Sequence, residues 1–358
     1  MAQVWCMLIS MALASSGWGF HQSNAPPKEA QRVEETAEFH HQLGVAYHLR
    51  RCLDDASREY ARALALDPPR ELTAEEWKLV RRFAPRVFVT PSEFFPLKDF
   101  AAILHPAARL VAYHFFWEDD IDFPEDNDPC DHELIWVQYS PDRMSIEKLW
   151  TYFHGRLLAG SKTALADARR HNMRPRVNVQ WGKHGSLPAG WEEMMIVADG
   201  GDAENKYYPV EKPISLRQYN EGTFRKLSEE GRRLPDHPLG LRLGWPKKFS
   251  GTWDDFINFS RPVEPLDWLD QKKMAKVSRW NSATINQHFL TYNFRPKTEW
   301  PAADLKSQIS SWKFSGSAFG ASRSQAPSHQ CPAQDLEEDH SAFGVERGKR
   351  DDAASIGH

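Results

Sequence analysis

Lysine and arginine are dispersed along this chain rather than gathered into a stripe, and the formal net charge is −4. A phosphate backbone would find no basic footprint here, so nucleic acid is excluded as a partner class. Cysteine is scarce: Cys6, Cys52, Cys130 and Cys331 lie far apart with no CxxC pair, which argues against a zinc ribbon or a dense disulfide framework. No stretch stays apolar for the ~18 residues that a membrane span needs. GxSxG, P-loop, GxGxxG and HExxH spacings are all missing, so serine hydrolase, nucleotide and zincin chemistry have no motif to rest on. The N-terminal run "VWCMLISMALASS" is followed by "GWGF" and lacks the usual preceding Lys or Arg. Its apolar core and small residues still fit a secretory signal over residues 1–20, with a secreted or periplasmic protein as the consequence and a cytoplasmic one as the alternative.

A chain of 358 residues can bury a substantial core in one domain of about two hundred residues or in two smaller ones. Fourteen Trp and twenty Phe suit β-structure and aromatic-lined clefts. From Phe83 onward, "APRVFVTPSEFFPL", "ARLVAYHFFW", "HELIWVQY" and "RPRVNVQWGKHG" are short Val- and aromatic-rich runs broken by Pro, Gly or Asp, the pattern of strands. In the third run, His132, Leu134, Trp136 and Gln138 face one side, and Glu133, Ile135, Val137 and Tyr139 the other. "SKTALADARRHN" and "SLRQYNEGTFRKLSEEGRRL" read as helices between strands. The expected class is α+β: an antiparallel β-sandwich over residues 82–301 with helical insertions, preceded by a small α-helical hairpin. Residues 302–358 have no hydrophobic period and are expected to be a disordered tail.

The stretch "WEDDIDFPEDNDPCDHELIWVQY", from Trp117 to Tyr139, sets nine carboxylates and one histidine between two strand-like runs. Hard cations take several oxygen ligands, and Asp122, Asp126, Asp128 and Asp131, with Glu133 entering the strand, could supply them. Adding His132 and His184 gives a mixed nitrogen and oxygen set. The candidate metal ligands are therefore Asp128, Asp131, His132, Glu133 and His184, for Ca²⁺, Mg²⁺, Mn²⁺ or Zn²⁺. A solvated acidic loop is the bland alternative. His184 lies in a turn flanked by Gly182 and Gly185, so it either points into a cleft or bonds to backbone. "RWNSATINQHFLTYNFRP" reads as a strand pair on which Trp280, Asn286, His288 and Arg295 line a ligand cleft, or form an edge satisfied by hydrogen bonds.

"AEFHHQLGVAYHLRRCLDDASREYARALALDP" resembles a single tetratricopeptide repeat, with Leu43, Gly44 and Tyr47 on its first helix and Ala56, Tyr60 and Ala63 on its second. His40 stands where an aromatic is usual. With "TAEEWKLVRRF" as a capping helix started by Thr73 and Glu76, this unit covers residues 29–81 and serves as a brace or as a docking surface for a protein partner. "RRFAPRVFVTPSEFFPL", "DHELIWV" and "VNVQWGKHGSLPAGW" together resemble the vacuolar protein sorting-associated 62 family, itself similar to necrosis-inducing cytolysin-like proteins. The resemblance implies a β-sandwich with a divalent-metal pocket. Against the pattern Asp-His-Glu-Gly-Asp-Trp-Glu, this chain keeps Asp131, His132, Glu133 and Trp136 but carries Leu134, Ile135 and Val137 at the other three places, two of them carboxylates in the pattern.

The sequence thus supports a secreted, metal-binding sandwich that recognises a lipid headgroup or a glycan. A metal-assisted hydrolase in the same pocket, with Glu133 or Asp131 as base and His184 as acid, and a non-enzymatic interaction protein using the hairpin are the alternatives.

Overall fold

The computed structural model describes residues 35–50, 52–121, 131–197, 212–229, 249–289 and 300–301. The signal peptide, Asp128, Arg295, the side chain of His288 and the tail from 302 onward lie outside the described residues. The chain divides into two units, Met1–Glu35 and Thr36–His358, and the second carries all that follows.

Helices α1 (Ala37–Leu49) and α2 (Leu53–Leu66) form the expected hairpin. Thr36 caps α1 by accepting from the Phe39 amide at 3.1 Å. Gly44 lets the helices close, because a Cβ there would stand 2.5 Å from the ring of Tyr60. Cys52, just before α2, is disulfide-bonded, and the other three cysteines lie outside the described residues. Helix α3 (Ala74–Phe83) starts with a complete capping box between Thr73 and Glu76. Its Leu79, Val80 and Phe83 are buried in the core of the sandwich, so α3 serves the sandwich rather than capping the hairpin.

The strands and helices that follow are β1 (Arg86–Val89), β2 (Leu97–Leu104), β3 (Leu110–Trp117), β4 (Asp131–Tyr139), β5 (Ile146–Phe153), β6 (Arg156–Ala159), α4 (Lys162–Arg170), β7 (Arg176–Val179), β8 (Ser186–Pro188), β9 (Met195–Val197), β10 (Pro213–Ser215) and α5 (Leu216–Glu229). After them come α6 (Trp253–Phe256), β11 (Arg261–Val263), α7 (Leu266–Lys272), β12 (Ala275–Val277) and α8 (Asn281–Phe289). One sheet runs β12-β2-β3-β4-β5-β6, a second β11-β1-β7-β8, and β9 pairs with β10. Their inner faces share one core, in which Val87, Val89, Val177 and Val179 meet Phe100, Val111, Tyr113, Phe115, Ile135 and Val137. The fold is α+β with a sandwich at its centre. Its pairings are mostly antiparallel, but β1 with β7 and β12 with β2 are parallel, which makes both sheets mixed rather than purely antiparallel.

The outer face of the larger sheet is also covered. Ala101, Ile103, Ala112, Phe116, Leu134, Trp136 and Trp150 pack with Ile285 of α8, so β3 is buried along its whole length and shows no polar alternation. The segment from Asn281 to Phe289 is a helix, not a strand. β-branched Thr284 and Ile285 favour strand locally, but Ala283 packs against Ala56 and Tyr60 of the hairpin, and that contact requires the helical spacing.

Overpacking the hairpin tests this geometry. Gly44→Leu should cost about 1–3 kcal/mol, read as a shift of the urea midpoint by far-ultraviolet circular dichroism, while Ala61→Leu on the exposed side of α2 should stay within about 0.5 kcal/mol.

Candidate functional site

The site forms at one end of the sandwich, where the turn after β1, the end of β3, the start of β4 and the β7–β8 turn converge. Strand alternation decides which side chains enter it. On β4, Ile135 and Val137 belong to the inner core and Leu134 and Trp136 to the outer cluster. Asp131 and Glu133 therefore face inward, and His132 faces the opposite side of the sheet.

The β7–β8 turn delivers His184. Gly182 and His184 both have left-handed backbones, with φ of 64° and 50°, and the His184 amide donates to the Gln180 carbonyl at 2.9 Å. A non-glycine residue held there costs about 1–3 kcal/mol, sustained only where the surroundings fix it. They do. His184 Nδ1 lies 3.0 Å from Asp131 Oδ2 and Nε2 lies 3.5 Å from Glu93 Oε1. Its ring stacks on Trp117 at 4.5 Å with 8° between planes, and Phe95 presents an edge at 6.0 Å.

The His184 side chain is wholly buried. Burial alone would lower its pKa, but the charge of Glu93 and the hydrogen bond to Asp131 outweigh that and push it up to about 10. At neutral pH it is an imidazolium between two carboxylates. Glu93 in turn fastens two loops together: Oε1 accepts from the amides of Phe94 and Phe95 at 2.8 and 3.0 Å, and Oε2 accepts from the Gly182 amide at 2.9 Å. The end of β3 joins the same turn, since the Ile121 amide donates to the Gly182 carbonyl at 2.7 Å and Lys183 pairs with Asp120 at 3.0 Å.

A second network lies across the sheet. His114 and His132 are linked Nδ1 to Nε2 at 2.9 Å, and His114 Nε2 lies 2.8 Å from Asn281 Oδ1. Burial holds His114 down at about 3, so it is neutral. Consistent tautomers have His132 Nε2–H donating to His114 Nδ1, and His114 Nε2–H donating to Asn281. This chain ties α8 to β3 and β4. A third chain runs from His154 through Gln180 to Asn220, at 2.5 and 2.6 Å, and fixes α5 against the β7–β8 turn.

Of the candidate metal ligands, the structure brings Asp131 and His184 together and sends His132 to the other face of β4. Glu133 is buried on the inner face. Among the described residues no three His, Cys, Asp or Glu side chains form a group that could hold a metal ion. His184 Nδ1 meets Asp131 and Nε2 faces Glu93, and His132 lies on the other side of β4. The described residues do not fit the expected metal. Of the candidate ligand set, Trp280 is buried against the hairpin, where its Nε1 donates to Asp67 at 2.8 Å, and Asn286 is buried on α8.

The cavity that does open at this end is a different one, a cleft of about 280 Å³ lined by Pro91, Ser92, Phe94, Trp181, Phe249, Ser250, Gly251, Asp255 and Asn258. Phe94 and Trp181 adjoin Glu93 and Gly182 in sequence, so the ionic cluster holds the walls of the cleft. Trp181 Nε1 donates to the Ser92 carbonyl at 2.8 Å, joining both walls. Sequence reasoning passed over Glu93, Trp117 and Trp181. A turn glutamate carries no local signal, and only the pairing of β1 with β7 places it beside Gly182.

No family model matches the chain, and no curated protein does; neither the tetratricopeptide nor the sorting-associated resemblance gains support there. Three solved structures are similar in part. Necrosis and Ethylene inducing Protein 2 from the causal agent of cocoa's witches' broom disease is 12% identical over 34% of this chain and 74% of its own, with a TM-score of 0.24. A structure described as "Toxin fold for microbial attack and plant defense" is 13% identical over 33% and 76%, also at 0.24. NLPPya in complex with mannosamine is 14% identical over 33% and 75%, at 0.23. TM-scores of this size carry no weight for fold or function, and the sandwich rests on its own strand pairings.

His184→Asn keeps a residue tolerant of left-handed φ but removes the cation. It should cost on the order of 3–5 kcal/mol near pH 6, because buried carboxylate charge is stranded. The folded pKa of His184 stands above the ordinary 6.5, so its contribution is complete below pH 6.5 and is lost as pH rises toward about 10. Denaturant titrations should show wild-type stability falling across that window, and the His184→Asn variant lacking that component of the fall.

Proposed function

We propose that this chain is a secreted recognition protein whose cleft, walled by Phe94, Trp181 and Phe249, takes the headgroup of a glycan or a lipid. One observation carries the reading: an aromatic-walled cleft with Ser92, Ser250, Asp255 and Asn258 at its edges is backed by a buried ionic cluster that bonds two of its three segments together. Aromatic faces accept the apolar side of a sugar ring or a methylated ammonium, and a few hydroxyl, amide and carboxylate groups set orientation. Rigidity lowers the ordering cost of binding. The Asp255 carboxylate on the cleft's edge favours headgroups that carry an amine over those that carry only phosphate.

A divalent cation enters this reading only through Asp122, Asp126 and Asp128, which lie outside the described residues. Secretion is supported by the N-terminal apolar run and by the disulfide at Cys52. Hydrolysis in the same place finds no support in the geometry, since the His184 side chain is wholly buried and does not line the cleft.

A hexosamine panel that includes mannosamine, together with vesicles bearing choline, ethanolamine or inositol headgroups, would test the cleft by titration calorimetry and flotation. Phe94 is 40% exposed, so Phe94→Ala should leave folding intact and weaken binding roughly 10–100-fold, the value of one aromatic contact. Binding that is absent from both panels, or unchanged by Phe94→Ala, would sink the proposal.

A further inference from the structure

Helix α1 is turned inside out. Its buried face carries His40, His41, Gly44 and His48. His40 Nδ1 lies 2.6 Å from Glu59 Oε2, His48 Nδ1 lies 3.3 Å from Tyr60 Oη, and His41 Nε2 lies 3.4 Å from Ser282 Oγ. At 100° per residue, Phe39 and Leu43, each half-buried, and exposed Ala46 fall on the opposite face. Leu49 lies beside them and is 47% exposed. Among the described residues none of these four joins a hydrophobic cluster, although Ala37, Val45 and Tyr47 of the same helix do. A single surface helix ordinarily distributes these types the other way, with apolar residues inward and imidazoles outward.

The spacing of the outward face says what shape would cover it. Phe39, Leu43, Ala46 and Arg50 follow each other at intervals of four, three and four, the seam by which one helix packs along another. Charge says which helix. Glu38 stands in the first turn and Arg50 just past the last residue of α1, both exposed. A second α1 laid antiparallel along the seam brings Glu38 of each copy to Arg50 of the other, whereas a parallel arrangement sets like charges side by side.

We propose that α1 is a self-association surface, on which two copies of this chain pair antiparallel through Phe39, Leu43 and Ala46 with Glu38 facing Arg50 at both ends. A helix of this length spans about 20 Å. The contact therefore falls well short of the roughly 1,600 Å² of a standard interface, and the pair is a weak, concentration-dependent dimer. This stands apart from headgroup recognition, because the hairpin contributes no residue to the cleft.

Sedimentation equilibrium of the full chain, run from about 1 μM to several hundred μM to bracket a weak interface, reads the result. Wild type should approach twice the monomer mass at the upper end, and Leu43→Glu should remain monomeric throughout. Glu38→Arg and Arg50→Glu, both at exposed positions, should each weaken association several-fold, while the doubly swapped chain should recover it. The recovery separates pairing from damage to the hairpin, so the proposal stays decidable even where Leu43→Glu unfolds α1. A wild-type chain that is monomeric at every concentration overturns the proposal. So does a dimer indifferent to Leu43→Glu, or a double swap no better than either single one.

Discussion

The imidazolium of His184, held between Glu93 and Asp131, is the interaction on which this end of the molecule depends. Three segments distant in sequence meet there: the turn after β1 through Glu93, the start of β4 through Asp131, and the β7–β8 turn through His184 itself. A positive charge with no solvent contact persists only where opposite charge is within reach, so each carboxylate must occupy its place for the turn to keep its left-handed backbone. Trp117 closes the arrangement by lying flat on the ring, which adds attraction between the cation and an aromatic face.

That arrangement belongs to a wider pattern, in which three of the five described carboxylates between Trp117 and Tyr139 meet a cation. Among those described, Asp131 has His184, Asp120 has Lys183 and Glu118 has Lys98. All three cations come from elsewhere in the chain, from the β7–β8 turn or from the start of β2. Negative charge here organises the loops around it rather than simply repelling itself. His132, which points to the far side of β4, is separated by the strand's alternation from Asp131, Glu133 and His184, the other described members of the expected metal set.

Much of the scaffold was legible because it rests on local rules. Thr73 and Glu76 announce the start of α3 by a reciprocal hydrogen-bond pattern contained within four residues. Ser161 does the same for α4, where its hydroxyl accepts from the Ala164 amide. The alternation from His132 to Tyr139 gave the facing of β4 correctly, although the metal set drawn from the same stretch joined His132 to Asp131 and Glu133, which face the other way. What stayed hidden depends on contacts distant in sequence. The parallel pairing of β1 with β7 brings Phe88 opposite Asn178 and so sets Glu93 over Gly182, yet no residue in either strand encodes that partner. The helical state of α8 likewise follows from Ala283 meeting Tyr60, a contact between segments far apart in sequence that overrides the β-branched residues beside it.

Replacing a buried ion cluster by apolar side chains of equal volume is often neutral or stabilising, so stability alone does not account for charge at the end of the sandwich. Position does. An apolar contact between the β1–β2 turn and the β7–β8 turn would hold them near one another without fixing direction. The Glu93 carboxylate instead accepts three amides at defined angles and faces an imidazole whose plane is set by Trp117. Directional bonds of this kind fix Phe94 and Trp181 through their neighbours Glu93 and Gly182, and those two aromatics are, with Phe249, the aromatic walls of the cleft. A cleft whose walls are held by charge opens to a ligand without first having to be ordered, and that property matters for recognising a headgroup rather than for holding the sandwich together.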